Sequence, residues 1–357
     1  MRVLVAMSGG VDSSVAAALL AAAGHEVVGA TMKLWGGPSD SGCCSLADVS
    51  DARRVADQLG LAHHVFNFSE DFESAVVSPY AAAHAAGRTP NPCVECNRHL
   101  KFDRLLARAR RLGFDAVATG HHARLARRSD GRTALLRGRD RAKDQSYVLA
   151  VLGGETLASL LLPVGELDKA EVRRRARDLG LRTADKPDSQ EVCFIASRAG
   201  GGSGRGAFLA GRIGLQPGRV LDARSGELLG EVPALELVTV GQRRGLPTAS
   251  GRARRFVVAV DPASRTVLAG ESADLEVEEL ALSALSWVHD PLPPGSEVEV
   301  QCSAHGSPRP ALLTAEGVRL RTPARRVAPG QLVAIFRGDE VLGSGVAEAA
   351  PLARARP

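Results

Sequence analysis

The sequence predicts an α/β protein, with a doubly wound parallel sheet over roughly the first 195 residues and a small β-rich domain and a C-terminal β-barrel after it. Three observations carry this. Short apolar runs alternate with segments of helical period through the N-terminal half. The alternation stops at ASRAGGGSGRGAF, a Gly/Ser-rich stretch. Beyond that point short strands are divided by turn residues, and no helical period returns.

The elements follow in order. RVLVAM is the apolar run of a buried first strand, and the SGG turn after it opens an Ala/Leu-rich helix stopped by Gly24. HEVVGATMKLW is the second strand. SLADVSDARRVADQLG repeats the helical pattern, with Ser45 as N-cap and Gly60 as stop, and AHHVFNF is the third strand. A basic helix from Arg98 leads to a fourth strand, DAVATGHH. In such sheets ligands collect beyond the carboxyl ends of the strands, where SGG, GHH and the segment after ATM all fall. Residues 219 to 270 read as short strands with turns at ARSGE and DPASR. SEVEVQCSA, ALLTAE, QLVAIFR and EVLGSGVAE then suggest a small antiparallel barrel. From pattern alone the β modules read equally as a gripping attachment or as structural domains.

A chain of 357 residues with 45% apolar content can bury an ample core and has room for two or three domains. Its first residues, MRVLVAMSGG, are too short an apolar run for a signal peptide, so a cytoplasmic location is expected. Six cysteines (Cys43, Cys44, Cys93, Cys96, Cys193 and Cys302) then read as ligands or reactive thiols rather than as a disulfide framework. The net charge of +5 is modest, but it is clustered in RHLKFDRLLARARR, RLARR, RGRDRAK and GRARR, as a phosphate-tracking surface requires. Arg enrichment from genome composition would give the same clusters. Only five lysines occur: Lys33, Lys101, Lys143, Lys169 and Lys186.

Two motifs carry chemistry. SGGVDSS, residues 8 to 14, is a Gly-rich turn from strand to helix; it offers unpaired backbone N–H groups, the positive end of a helix and serine hydroxyls to an anion such as phosphate. It is not GxxxxGK[ST], and it holds no lysine for a γ-phosphate. NPCVECN, residues 91 to 97, puts two cysteines two residues apart. By itself this is half a metal site, a redox pair or a reaction centre.

SGGVDSS resembles the loop of the PP-loop ATP pyrophosphatases, adenine-nucleotide α-hydrolase-like proteins that cleave ATP between the α and β phosphates. CCSLADVSDARRVADQLG, TPNPCVECNRHLKF, DAVATGHHAR, KDQSYVL, LPVGELDKAEVR, KPDSQEVCFI and TVGQRRGL extend the resemblance to one family, the bacterial tRNA-uridine 2-sulfurtransferases, in the family's own order. GQLVAIFRGDEVLGSG carries a thinner similarity into the C-terminal part. The resemblance implies a catalytic domain over residues 1–200, a central domain over 201–273 and a tRNA-gripping barrel over 274–357. It implies ATP-dependent 2-thiolation of the wobble uridine, with ATP and Mg²⁺ as cofactors. The partners would be tRNA and a persulfide-delivering sulfur carrier or cysteine desulfurase.

Carried over residue by residue, the resemblance assigns Ala6, Met7, Ser8, Gly9, Gly10, Val11, Asp12 and Ser13 to the ATP cradle, with Asp12 beside Mg²⁺. Met32 contacts adenine through its backbone and Gly120 lines the pocket. Asn91, Pro92, Cys93, His121, Lys143, Asp144, Gln145, Ser303, Ala304 and Gln331 are implied tRNA contacts. Cys193 carries the persulfide and Cys96 is the nucleophile that releases its outer sulfur; Cys96 would be favoured as thiolate by Arg98 and a nearby helix start, and Cys193 would swing on its flexible neighbour. The rival scheme puts Cys93, Cys96 and Cys193 on three irons of a [4Fe–4S] cluster. Cys302 reads as core. QCSAHG replaces an Arg–aromatic pair common in the family, no His precedes GQRR, and some members have Asp where this chain has Cys93.

Two other classes compete. An amidating PP-loop enzyme would share SGGVDSS but needs an ammonia source, and no glutaminase-like segment is present. A tRNA-binding or iron–sulfur protein without thiolation would explain the basic clusters and the CxxC, but not the phosphate loop.

Overall fold

The computed structural model describes residues 1–34, 45–188, 192–195, 204–247 and 255–349. Cys43, Cys44, the glycines at 200–202 and most of GRARR lie outside them.

The first sheet is parallel throughout. It comprises β1 (Arg2–Ala6), β2 (Glu26–Lys33), β3 (Ala62–Asn67) and β4 (Ala116–Thr119), and it is completed after a hairpin, β5 (Ala123–Arg127) and β6 (Thr133–Arg137), by the short β7 (Leu160–Leu161). The strand order is β3-β2-β1-β4-β7, so the direction of winding reverses beside β1. Alternation along β1 shows why both faces are covered. Val3, Val5 and Met7 pack with α1 (Val11–Ala22) and α2 (Leu46–Gln58), whereas Leu4 and Ala6 join the core on the other face. That second core is filled by α3 (Ser69–Phe72, Glu73–Val77 and Ser78–Ala85) and α4 (Pro92–Glu95, Cys96–Arg104 and Leu105–Arg111). A fifth helix, α5 (Lys169–Asp178), packs against α1.

The caps follow the sequence. Ser45 closes a capping box with Asp48 at the head of α2, and Gly24 and Gly60 take the left-handed conformation past the ends of α1 and α2. The start of α4 differs from expectation. It begins at Pro92 rather than near Arg98, with Asn91 as N-cap accepting from the Cys93 N–H at 3.1 Å.

The central domain has four strands, β8 (Gly218–Asp222), β9 (Leu228–Val232), β10 (Phe256–Asp261) and β11 (Thr266–Gly270), in the order β10-β11-β8-β9. Its two hairpin turns are ARSGE and DPASR, as expected, with Asp222 and Asp261 accepting from the turn N–H groups. The C-terminal strands are β12 (Glu276–Trp287), β13 (Glu297–Gln301), β14 (Arg309–Leu313), β15 (Gly317–Arg325), β16 (Leu332–Arg337) and β17 (Glu340–Ala347). They run β12-β15-β14-β13-β16-β17, and a β12–β17 pairing closes the barrel.

The β5–β6 hairpin joins this barrel sheet through β17, pairing Leu136 with Glu340 and Leu135 with Val341. Ion pairs reinforce the join: Arg124 and Arg141 on Asp339, Arg128 on Glu340, and Arg132 on Asp290. Much of the charge of RLARR and RGRDRAK is neutralised by acids that lie far away in sequence. No helix among the described residues is long and apolar enough to cross a membrane.

Candidate active site

The phosphate loop stands where β1 ends. Met7 N–H extends the ladder to Ala30 O at 2.8 Å, and then the chain turns. Gly9 has φ +71°, and a Cβ there would meet the Asp48 carbonyl oxygen at 2.3 Å, so only glycine fits against the head of α2. Ser13 Oγ accepts from Ser8 N–H at 3.2 Å and donates to Gly10 O at 3.1 Å, which holds the turn open. Gly10 gives α1 no side-chain cap. The first N–H groups of α1 are therefore available to an anion. Gly120 follows β4, and its Cα lies so close to α1 that a Cβ would sit 2.5 Å from Ser13 N.

Charge reaches the loop from outside the motif. Lys169, at the start of α5, places Nζ 2.8 Å from both carboxylate oxygens of Asp12 and 2.8 Å from Asp188 Oδ1. His122 Nε2 lies 3.0 Å from Asp12 Oδ1. Burial pushes the Asp12 carboxyl up, but the hydrogen bonds from His122 and Lys169 outweigh it and hold the group below its usual range. Asp188 also takes Lys143 Nζ at 2.8 Å and Arg173 at 3.0 Å. Lys186 Nζ binds Gly9 O at 3.0 Å, Asp48 at 2.7 Å and Asp51 at 2.8 Å. Three of the five lysines thus surround the loop. A Mg²⁺ ion fits here only as a guest of the nucleotide: Asp12 would be its one carboxylate, with phosphate oxygens and water as the other ligands.

Cys93 is exposed in the first turn of α4, and Cys96 is half-buried one turn further on. The expectation that a helix N-terminus favours the Cys96 thiolate is corrected, because that field fades within the first turn, which holds Cys93. Arg98 is turned toward Glu95 at 4.0 Å. Cys193 is also half-buried, and it packs against the same core cluster as Cys96 although the two lie far apart in sequence. Its neighbour Phe194 is anchored among Phe72, Tyr80 and Phe208, with ring centroids 5.6, 5.5 and 5.1 Å away. The Cys193 backbone is thus fixed on this side; the glycine-rich stretch expected to let it swing lies outside the described residues. Among the described residues no three His, Cys, Asp or Glu side chains are grouped as metal ligands, so Cys93, Cys96 and Cys193 are not a ready-made cluster site.

The residues expected to touch tRNA divide sharply. Asn91, Cys93 and Lys143 are at least partly accessible, whereas Pro92 is buried in the first turn of α4. Gln145 is exposed, and its side-chain oxygen accepts from His122 N–H at 2.9 Å. His121 is 7% exposed, and its Nδ1 lies 2.7 Å from Thr119 Oγ1; burial pushes its pKa well below the usual histidine range. Asp144 is equally committed, bound to Arg137, Gly138 N–H and Ser146. Arg137 in turn stacks on Phe336 at 3.6 Å and donates to Gln301 at 2.7 Å. Gln301 secures the backbone of Ser303 and Ala304, and Ala304 lines a cavity of about 560 Å³ between the hairpin and the barrel. Gln331 donates its amide to the Thr89 carbonyl. Met32 is buried at the end of β2.

Residues 1–197 match the family model described as tRNA methyl transferase HUP domain, 206–271 that of a tRNA methyl transferase PRC-barrel domain, and 277–347 that of an aminomethyltransferase β-barrel domain. The tRNA-specific 2-thiouridylase MnmA of Mycolicibacterium paratuberculosis is 48% identical over 96% of this chain and 98% of its own. Those of Kineococcus radiotolerans and Carboxydothermus hydrogenoformans are 49% and 44% identical, each over at least 96% of both chains. The chain belongs to the tRNA-specific 2-thiouridylase family. An amidating enzyme of related fold is not favoured by these relatives.

Reading this 2-thiouridylase-family chain by motif misses four groups at the loop: His122, Lys169, Lys186 and Asp188. Only lysine scarcity marks the two cations: in a chain that writes nearly all positive charge as Arg, a retained Lys is a compact ammonium that can enter a crowded carboxylate site.

Proposed function

We infer that this protein converts the wobble uridine of tRNA to 2-thiouridine, with ATP activating the base and a cysteine persulfide supplying sulfur. One observation carries the reading: an uncapped phosphate loop shares a domain with two cysteines, Cys96 and Cys193, that border one core cluster. The N–H groups at Gly9–Val11 and the start of α1 would hold the ATP phosphates, with Met32 and Gly120 on the nucleoside side. Lys169 and Lys186 would offset the carboxylates of Asp12, Asp188, Asp48 and Asp51 beside the loop, which would otherwise repel the phosphates. Mg²⁺, when bound beside Asp12, would supply neutralisation of charge on departing pyrophosphate.

Uracil O2 attacks the α-phosphorus, the bond to the β-phosphate breaks, and C2 becomes electrophilic. The terminal sulfur of a Cys193 persulfide attacks C2, and AMP leaves with the oxygen. The Cys96 thiolate then attacks Cys193 Sγ, which cleaves the sulfur–sulfur bond to the base and leaves C2=S and a Cys96–Cys193 disulfide. A thiol reductant restores both cysteines. A sulfur carrier or desulfurase must load Cys193, because a plain thiolate has no spare sulfur.

Nucleotide analysis tests the activation step: AMP and pyrophosphate are expected, and ADP with phosphate would refute it. Anaerobic purification with iron analysis and persulfide labelling tests the sulfur step. An iron-free protein that thiolates through labelled Cys193 is expected; activity proportional to iron would replace this scheme with the cluster scheme.

A further inference from the structure

The segment just before NPCVECN is held by both other domains. Thr89 N–H donates to Pro329 O at 2.7 Å, and Thr89 O accepts from the Gln331 side chain, so both backbone groups are bound to the barrel. Its hydroxyl lies 3.3 Å from Thr239 Oγ1 of the central domain. Arg88 makes a two-point pair with Glu348, at 2.7 and 2.9 Å, and Ser283 of β12 also donates to Glu348. Gly330 has φ +91°, and a Cβ there would lie 3.2 Å from Arg88 Cβ and 3.2 Å from Thr89 N. On the other side a Cβ on Gly87 would meet Pro262 of the central domain at 2.7 Å. The barrel partners are themselves tied to the end of β17, where Ala347 N–H donates to Gln331 O at 2.8 Å and Gly330 N–H reaches Ala347 O at 2.8 Å.

We propose that this three-domain junction at Arg88–Thr89 positions the Asn91 cap and the Cys93–Cys96 turn, with Arg88, Gln331, Gly330 and Glu348 as positioning residues. One residue, Pro90, separates Thr89 from the N-cap of α4, and Cys93 lies two positions beyond that cap. Four covalent steps from a clamped backbone leave little freedom, so a shift of the barrel loop moves the cap. Gln331, read from the resemblance as a tRNA contact, then acts through Thr89 rather than on RNA. The consequence for activity is that a barrel correctly seated on tRNA presents the cysteine turn to the base, and a displaced one does not. The rate part of this proposal rests on the thiolation reading; the geometric part does not.

The test uses the full-length protein, reduced, in the variants Glu348→Gln, Gln331→Ala and the exchanged pair Arg88→Glu/Glu348→Arg. Three quantities are read: the rate of Cys93 alkylation by iodoacetamide without tRNA, tRNA affinity by filter binding, and single-turnover thiolation at saturating tRNA. Glu348→Gln and Gln331→Ala should change Cys93 alkylation at least threefold and slow thiolation at least tenfold, with tRNA affinity within twofold of the parent. The exchanged pair should recover most of both rates. Unchanged alkylation in both single variants would overturn the proposal even if no variant, including the parent, thiolated tRNA. Loss of tRNA affinity in Gln331→Ala with normal alkylation would return Gln331 to direct RNA contact and equally overturn it.

Discussion

Replacing Gly120 by alanine tests whether the phosphate loop is set by close packing. The new methyl would sit 2.5 Å from Ser13 N, 2.6 Å from the Asp12 carbonyl carbon and 2.9 Å from Asp12 Cβ, where ordinary contact begins at 3.4 Å. The start of α1 must therefore retreat from β4 by about 0.9 Å. The neighbours are backbone atoms of a helix whose far side packs against α5, so no flexible side chain absorbs the change. Overpacking of this kind costs about 1–3 kcal/mol, which leaves a chain of this size folded. The larger effect is on chemistry, because Asp12 and the N–H groups beside it move by nearly an ångström relative to bound phosphate, a misplacement worth about 100-fold in rate. Pyrophosphate release in the presence of tRNA should fall by that order while tRNA affinity holds. A Gly120→Ala protein with parental pyrophosphate release would refute the claim that this contact sets the loop.

Other outcomes follow from the same geometry. Asp144→Asn should lower stability by about 3 kcal/mol rather than weaken tRNA binding selectively, because it leaves the buried Arg137 cation without its carboxylate; thermal melting beside filter binding separates the two. Partial burial pushes the Asp188 carboxyl up, but Lys143 and Lys169 win and hold it at about 2. Its folded pKa is thus below its unfolded value, so its contribution is complete above about pH 4 and is lost as pH falls toward 2. Denaturation of Asp188→Asn across that window should show a deficit at neutral pH that closes in acid. Burial pushes the Cys302 thiol up to about 11, so alkylation at pH 8 followed by mass spectrometry should mark Cys93 well before Cys302.

What could be read from sequence was local. Alternation of apolar runs gave β1 to β4 and their parallel order; Ser45, Gly24 and Gly60 marked helix ends because caps depend on a few adjacent residues; the ARSGE and DPASR turns did the same for the central domain. Contacts between distant segments were not legible. The β5–β6 hairpin carries no sign of its allegiance to the barrel, since the barrel acids that pair with its arginines, Asp290, Asp339 and Glu340, lie far away in sequence. Contiguous domain limits at 200 and 273 miss that exchange. At the site, the SGGVDSS loop was evident, but its lysines arrive from α5 and the segment beyond it. Likewise nothing in the sequence marks His121 and Asp144 as enclosed, and only the packing of Phe102, Arg137 and Ser146 around them shows it.

The most direct test of the central claim is mass spectrometry of a wobble-uridine tRNA transcript incubated with the reduced protein, ATP and an isotopically labelled persulfide donor. One oxygen should be exchanged for one labelled sulfur at C2 of the wobble uridine, with no exchange in Cys96→Ser or Cys193→Ser proteins that still bind tRNA. Label at another nucleotide, or full labelling by Cys193→Ser, would contradict it.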